Sequence, residues 1–352
     1  MKMTPAFLVV GALAIFWTSV FVAVFLPAMT MPETPQPAYW RPWTDDEAAG
    51  HKLYVANGCS YCHSQFIRTV DRDQEAQRIA LKDDYVGMEP AILGTERTGP
   101  DLSQEGGLHP DDWQIAHFVN PRNTRPMSLM PSWEFLGDDS IRKLTAYVQS
   151  LGLKDADYRM DAPGRGQRYW KRLAVEAYDS GPDRNIAWLH SQVPRVWVDM
   201  PNPYPATDAD VGRGHEVYQE FCIHCHGPVG DGQGQAARWL DPPPLNFTTL
   251  KRNLPQAKAP DGRTYSYVGG IFYYQVMNGI TGTAMPYFKG ELESARIWDV
   301  SNYLAVRFVG YTDATLPPRG IPAAYEPQWT NPAATQPASQ PATRAAGDGG
   351  TR

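Results

Sequence analysis

Cys59-Ser-Tyr-Cys62-His63 places two thiols three positions apart with an imidazole directly behind them. That spacing lets both sulfurs form thioethers to a haem's vinyl groups while the histidine coordinates the iron. Downstream, Ser128-Leu129-Met130-Pro131 offers a thioether for the opposite face of the iron. His/Met ligation raises the reduction potential and leaves no open coordination position, which suits carrying electrons. The pattern recurs. Cys222-Ile-His-Cys225-His226 is a second attachment motif, and Thr283-Ala284-Met285-Pro286 a second Met-Pro. The lead-ins match as well, Gly50-His51-Lys52-Leu53-Tyr54 against Gly214-His215-Glu216-Val217-Tyr218. Two copies of one unit follow, and with them two covalently bound haem c groups.

All four cysteines of the chain are used by the two motifs, so no disulfide is expected. A redox dithiol or half a zinc site is the alternative for a lone Cys-x-x-Cys. The trailing histidine, the lead-in and the downstream Met-Pro, present in both copies, argue against it. For the sixth ligand Met127, Met277, His109 and His117 are rivals to Met130 and Met285. A proline after the methionine favours an extended loop over a helix, which points to Met130 and Met285.

The elements that must hold these residues read as helices. Ala6 to Met29 is an uncharged apolar run long enough to span a bilayer. Its bulky Phe21 to Leu26 end argues for an uncleaved anchor rather than a signal peptide. Lys2 is the only charge before it, which points to a cytoplasmic N-terminus. Covalent haem is attached outside the cytoplasmic membrane of bacteria, so everything beyond about residue 30 is expected in the periplasm, on a single-pass protein of the inner membrane. Residues 31–43 form a Pro-rich stalk.

Thr44-Asp-Asp-Glu47 reads as a capping box opening a helix to about Asn57, with Gly50 and Tyr54 one turn apart on one face. Asp139 to Leu151, stopped by Gly152, is its expected partner and brings Tyr147 near Gly50. Thr207-Asp-Ala-Asp210 and Glu293 to Phe308, with Tyr303, repeat the arrangement. The expected fold is mainly α: one transmembrane anchor (1–30), the stalk, a small all-α cytochrome c domain (44–152), a connector (153–206), a second such domain (207–312) and a disordered Pro/Ala-rich tail (313–352). In the connector Gln167 to Tyr178 reads as a short helix and Val193 to Pro205 as an extended strap. It wraps one haem domain or docks on a neighbouring subunit. The net charge of −6 over 352 residues carries no basic footprint for nucleic acid and suits a positively charged redox partner.

Read through, the first half resembles the membrane-anchored mono-haem cytochrome c subunit of cbb3-type haem-copper oxidases. The resemblance rests on the anchor, Gly58-Cys-Ser-Tyr-Cys-His-Ser-Gln-Phe-Ile-Arg68, Arg97-Thr-Gly-Pro-Asp-Leu102, Gly106-Gly107, Asp112-Trp113, Asn120-Pro-Arg122 and Ser128-Leu-Met-Pro131. It covers about residues 1–152. Within it, the Pro100 carbonyl is expected to accept from the second nitrogen of His63, fixing the ring. Arg68, Arg97 and Arg122 are candidates to pair with haem propionates or a partner subunit. The second cytochrome domain departs from that one-haem family.

The resemblance implies electron transfer from a cytochrome c or similar donor, through the Cys222 domain and then the Cys59 domain, to a haem-copper catalytic subunit among other respiratory subunits. The chain itself would have no substrate-converting site. A nitric oxide reductase, a quinol-oxidising complex and a di-haem peroxidase are the alternatives.

Overall fold

The computed structural model describes residues 4–30, 35–71, 78–94, 96–198, 200, 206–253 and 270–310. The expected disordered tail lies outside the described residues, as do 201–205 of the expected strap. The chain divides into two compact units, 1–43 with 60–103 and 44–59 with 104–352. No β-strand occurs among the described residues.

In the smaller unit, α1 runs from Pro5 to Thr30, 26 residues with none buried. Thr4 caps it, its hydroxyl accepting from the Phe7 N–H, and Pro5 occupies the first helical position, where its missing N–H costs nothing. At 1.5 Å per residue the helix is about 39 Å long, longer than the ~30 Å hydrocarbon layer. One π turn, Phe21–Phe25, interrupts it. The other described residues of this unit are loops with two 3-10 turns, Thr69–Asp71 and Lys82–Tyr85, and Trp40 of the stalk is tied to them by its indole N–H, which donates to the Val86 carbonyl at 2.8 Å.

The larger unit is built on helix pairs. Helix α2 (Asp45–Ala56) opens on the expected reciprocal capping box of Thr44 and Glu47, and packs on α4 (Gly137–Ser150), which starts and ends within two residues of expectation. Helix α3 (Asp111–Val119) lies between them in sequence. The crossing is close because residue 50 has no side chain. A Cβ there would run into the Lys143 carbonyl and the Tyr147 Cβ. Tyr54 and Tyr147 are buried beside that point with ring centroids 5.3 Å apart.

The connector holds more helix than the one short helix and extended strap expected from the sequence. It forms α5 (Lys154–Asp161), α6 (Gln167–Asp179), α7 (Pro182–Ser191) and a single turn α8 (Arg195–Val198). Helix α6 falls where expected. Residues 195–198 are helical rather than extended because the Pro194 carbonyl accepts from both Trp197 and Val198, a start that proline tolerates.

The second helix pair repeats the first. Helix α9 (Asp208–Val217) opens on the Thr207/Asp210 box, and after a π turn α10 (Ile223–His226) carries the attachment motif. Helix α11 (Gly270–Asn278) precedes α12 (Ser294–Leu304), which continues through Val309 as a π turn. At Gly214 a Cβ would meet the Asp299 carbonyl and the Tyr303 Cβ, while at Gly212 on the same helix it would meet nothing within 4 Å. Gly214→Ala is therefore expected to cost about 1–3 kcal/mol by overpacking. Gly212→Ala is expected to gain about 0.5–1 kcal/mol from reduced chain entropy. Guanidinium unfolding of the two variants checks both signs.

Candidate functional site

In the larger unit, Cys222, Cys225, His226 and Met285 line one cavity of about 1180 Å³, counted with its space open to solvent. The motif's three side chains come from the π turn and α10, and Met285 from the loop between α11 and α12. His226 is fixed before any ligand binds. Its Nδ1 pairs with the Leu245 carbonyl at 3.1 Å, and its ring stacks on Phe247 at 4.4 Å between centroids. Nε2 is left as the coordinating nitrogen. Burial pushes the imidazole down to about 4, against a smaller opposing effect of the Leu245 hydrogen bond, so the ring is neutral and its lone pair available at physiological pH.

The loop after the motif is held by its own backbone. The N–H groups of Gly232, Gly234 and Ala236 donate to the carbonyls of His226, Cys225 and His224. Burial raises both Cys222 and Cys225 to about 12, so they remain neutral thiols, and no disulfide joins any of the four cysteines.

Met285 is set by a short turn in which its N–H donates to Thr283 Oγ1 at 3.2 Å. Met130 is set identically by Ser128 Oγ, also at 3.2 Å. Met127 is largely exposed, and Met277 packs in the core on α11 without lining the cavity. The rest of the lining is mostly apolar, including Phe221, Leu240, Phe272 and Val276. A flat macrocycle with two thioether attachment points fits these residues: paired half-buried thiols, an oriented neutral imidazole, a thioether lining the same cavity and apolar walls.

The first motif is divided between the units. Cys59 belongs to the larger, Cys62 and His63 to the smaller. In the smaller unit His63 Nδ1 lies 2.9 Å from the Pro100 carbonyl. Burial lowers the His63 pKa, opposed by that hydrogen bond and by Asp101. Asp101, fully buried, is the hub of this loop. It accepts from Ser64 Oγ and the Phe66 N–H on one oxygen and from the Ser103 N–H and Oγ on the other.

Arg97 stands 3.6 Å from Asp101 and also donates to Ser64 Oγ and the Phe66 carbonyl. The guanidinium thus braces the loop that carries His63. Arg68 is exposed. In the larger unit Arg122 donates to the Met130 carbonyl at 3.4 Å. His109 and His117 are not free ligands: they stack on the two sides of Trp113, at 3.8 and 4.9 Å.

Sequence reasoning missed several residues of the second site. Leu245 takes the place that Pro100 has in the first motif, and its only signal was its position after the Asp241-Pro-Pro-Pro244 run. Asn185, Trp188 and Leu189 of α7 line the cavity, and Trp197 of α8 stacks on Tyr273. The second half of the connector therefore packs beside the second site. Trp113, Asn123 and Thr124, from the first cytochrome region, line the cavity too.

Residues 1–165 match the family model described as "Cytochrome C oxidase, mono-heme subunit/FixO". Residues 211–306 match the model described as "Cytochrome c". No curated protein matches the chain. Among solved structures, a chain of the Kuenenia stuttgartiensis reducing HAO-like protein complex is similar over 77% of this chain and 98% of its own, at 17% identity and a TM-score of 0.25. By these two matches residues 1–165 are similar to that mono-haem oxidase subunit, a membrane electron-transfer cytochrome, and residues 211–306 to a cytochrome c domain.

Proposed function

We propose that the chain is a single-pass di-haem c-type cytochrome that passes electrons to the haem-copper catalytic subunit of a cbb3-type terminal oxidase. The observation that carries this reading is the convergence of Cys222, Cys225, His226 and Met285 on one apolar cavity, in a chain whose first 165 residues match the oxidase's mono-haem subunit. Cys59 and Cys62 would hold the first haem, with His63 and Met130 as the residues for its iron, and Cys222 and Cys225 would hold the second, with His226 and Met285.

Bound haem supplies a one-electron Fe(III)/Fe(II) couple. The protein's part is to orient and insulate. Pro100 and Leu245 each fix an imidazole through Nδ1, which sets the ring plane and the basicity of the other nitrogen. The Ser128 and Thr283 turns present the Met130 and Met285 thioethers, which as ligands to bound haem would leave no open position for a substrate. Helix α1 anchors the chain in the bacterial inner membrane with both haem domains in the periplasm. Electrons enter from a cytochrome c or similar donor at the Cys222 domain and leave through the Cys59 domain.

The test is affinity purification of the full chain from native membranes in mild detergent. A co-purifying polytopic haem-copper subunit, oxygen uptake and two low-spin haems per chain are expected. Nitric oxide reduction in place of oxygen uptake, quinol-oxidising partners, or one high-spin five-coordinate haem would each overturn the assignment in favour of a different acceptor, a different complex or a peroxidase.

A further inference from the structure

We infer that Trp113, a residue of the first cytochrome region, is a working part of the second haem centre: it closes the cavity wall at Cys225 and thereby holds that haem's reduction potential up. The inference rests on the haem assignment above and goes beyond it by giving one domain control over the other's cofactor.

Four observations converge on this wall. Trp113 and Ala116 of α3 form a small buried cluster with Ala236, Leu240 and Ala284, against which Cys225 packs. The Cys225 Sγ lies 3.8 Å from the Asn123 carbonyl, so the thioether edge of the second site abuts the first region directly. The contact is tied down around its rim. Asp112, next to Trp113, accepts from the Asp241 N–H at 2.9 Å and from Lys171 Nζ at 3.2 Å, and Arg125 pairs with Glu291 at 3.0 Å.

The indole itself is pinned. His109 and His117 stack on it within 16° and 7° of parallel, so an edge is what it has left to offer the cavity. Trp113 is 95% buried and its Nε1–H has no acceptor among the described residues, nor has the Asn123 Oδ1 a donor. Both Trp113 and Asn123 line the cavity, so this stretch of its wall is built from the first cytochrome region.

The electrostatic consequence is direct. Oxidised haem carries one more positive charge than reduced haem, and water stabilises that charge better than an apolar wall does. Solvent exposure is among the factors that set haem potentials. A sealed Cys225 edge therefore favours the reduced form.

Redox titration of the full-length holoprotein, resolving the two haems by their spectra, tests this. Trp113→Ala is expected to lower the reduced-to-oxidised ratio of the second haem about tenfold at fixed potential, a shift of ~59 mV for one electron, with the first haem unmoved. Trp113→Phe, which keeps a ring and removes the N–H, is expected to give less than half that shift. No shift in the alanine variant overturns the inference. So does an equal shift of both haems, which is general loosening, or a full shift in the phenylalanine variant, which assigns the effect to the N–H alone. Peptide mass spectrometry of the wild type, showing whether Cys222 and Cys225 carry haem, tells failure of the underlying assignment apart from failure of this one.

Discussion

Met285→Ala is expected to lower the potential of the second haem by roughly 0.1–0.3 V, within the ~0.8 V that axial ligands command, and to abolish one methionine–iron charge-transfer band at the red edge of the spectrum. The size follows from the absence of an understudy. The Met285 carbonyl accepts from the Ile280 N–H, and the Thr283 hydroxyl both receives the Met285 N–H and donates to the Ile280 carbonyl. The loop is thus held in place whatever side chain it carries. Met277 is half-buried and packs against the core, outside the cavity lining, with its carbonyl committed to the Lys289 N–H. With the thioether gone, water or nothing takes its position. Spectroelectrochemistry of the holoprotein reads the change, and an unchanged titration, or the same loss on Met277→Ala, would show that the ligand had been misassigned.

Gly99→Ala is expected to disable the first haem while sparing the second. A Cβ at residue 99 would overlap the His63 ring, lying within 3 Å of Cε1, Nδ1 and Nε2. The ring cannot retreat easily, because its Nδ1 is engaged by Pro100 and the strand of chain behind it is pinned by the Gly99 N–H to the Cys62 carbonyl and by the Ser64 hydroxyl to Asp101. Displacing the imidazole breaks the Pro100 bond and the axial geometry together. The expected readout is one low-spin haem per chain by EPR, with the other lost in maturation or converted to high spin. Two low-spin haems at wild-type potentials in this variant would remove His63 from the ligand set.

What the sequence showed and what it hid divide along one physical line. The capping boxes at Thr44 and Thr207, the Gly50/Tyr147 and Gly214/Tyr303 crossings and helix α1 are written in patterns a few residues long, and each stands where the pattern placed it. The Pro100 contact was legible through a family's motif rather than through any local rule. Leu245 makes the same contact from a different loop length, with no motif to announce it. Helices α5 and α7, only 8 and 10 residues long, owe their stability to packing rather than propensity. The wall from Trp113 to Thr124 was illegible for a stronger reason. It joins residues about a hundred positions apart, and such a contact leaves no period in the chain.

The second cavity also has a direction in time. Every wall it borrows, from residues 113–124 and 185–189, precedes Cys222 in the chain. A polypeptide exported from its anchored end onward has therefore already delivered these borrowed walls when its second pair of thiols arrives. The first motif's partners Pro100 and Met130 both follow His63, as Leu245 and Met285 follow His226. Truncation from the C-terminal end would accordingly leave the first centre complete, while deletions within the first half would strip both.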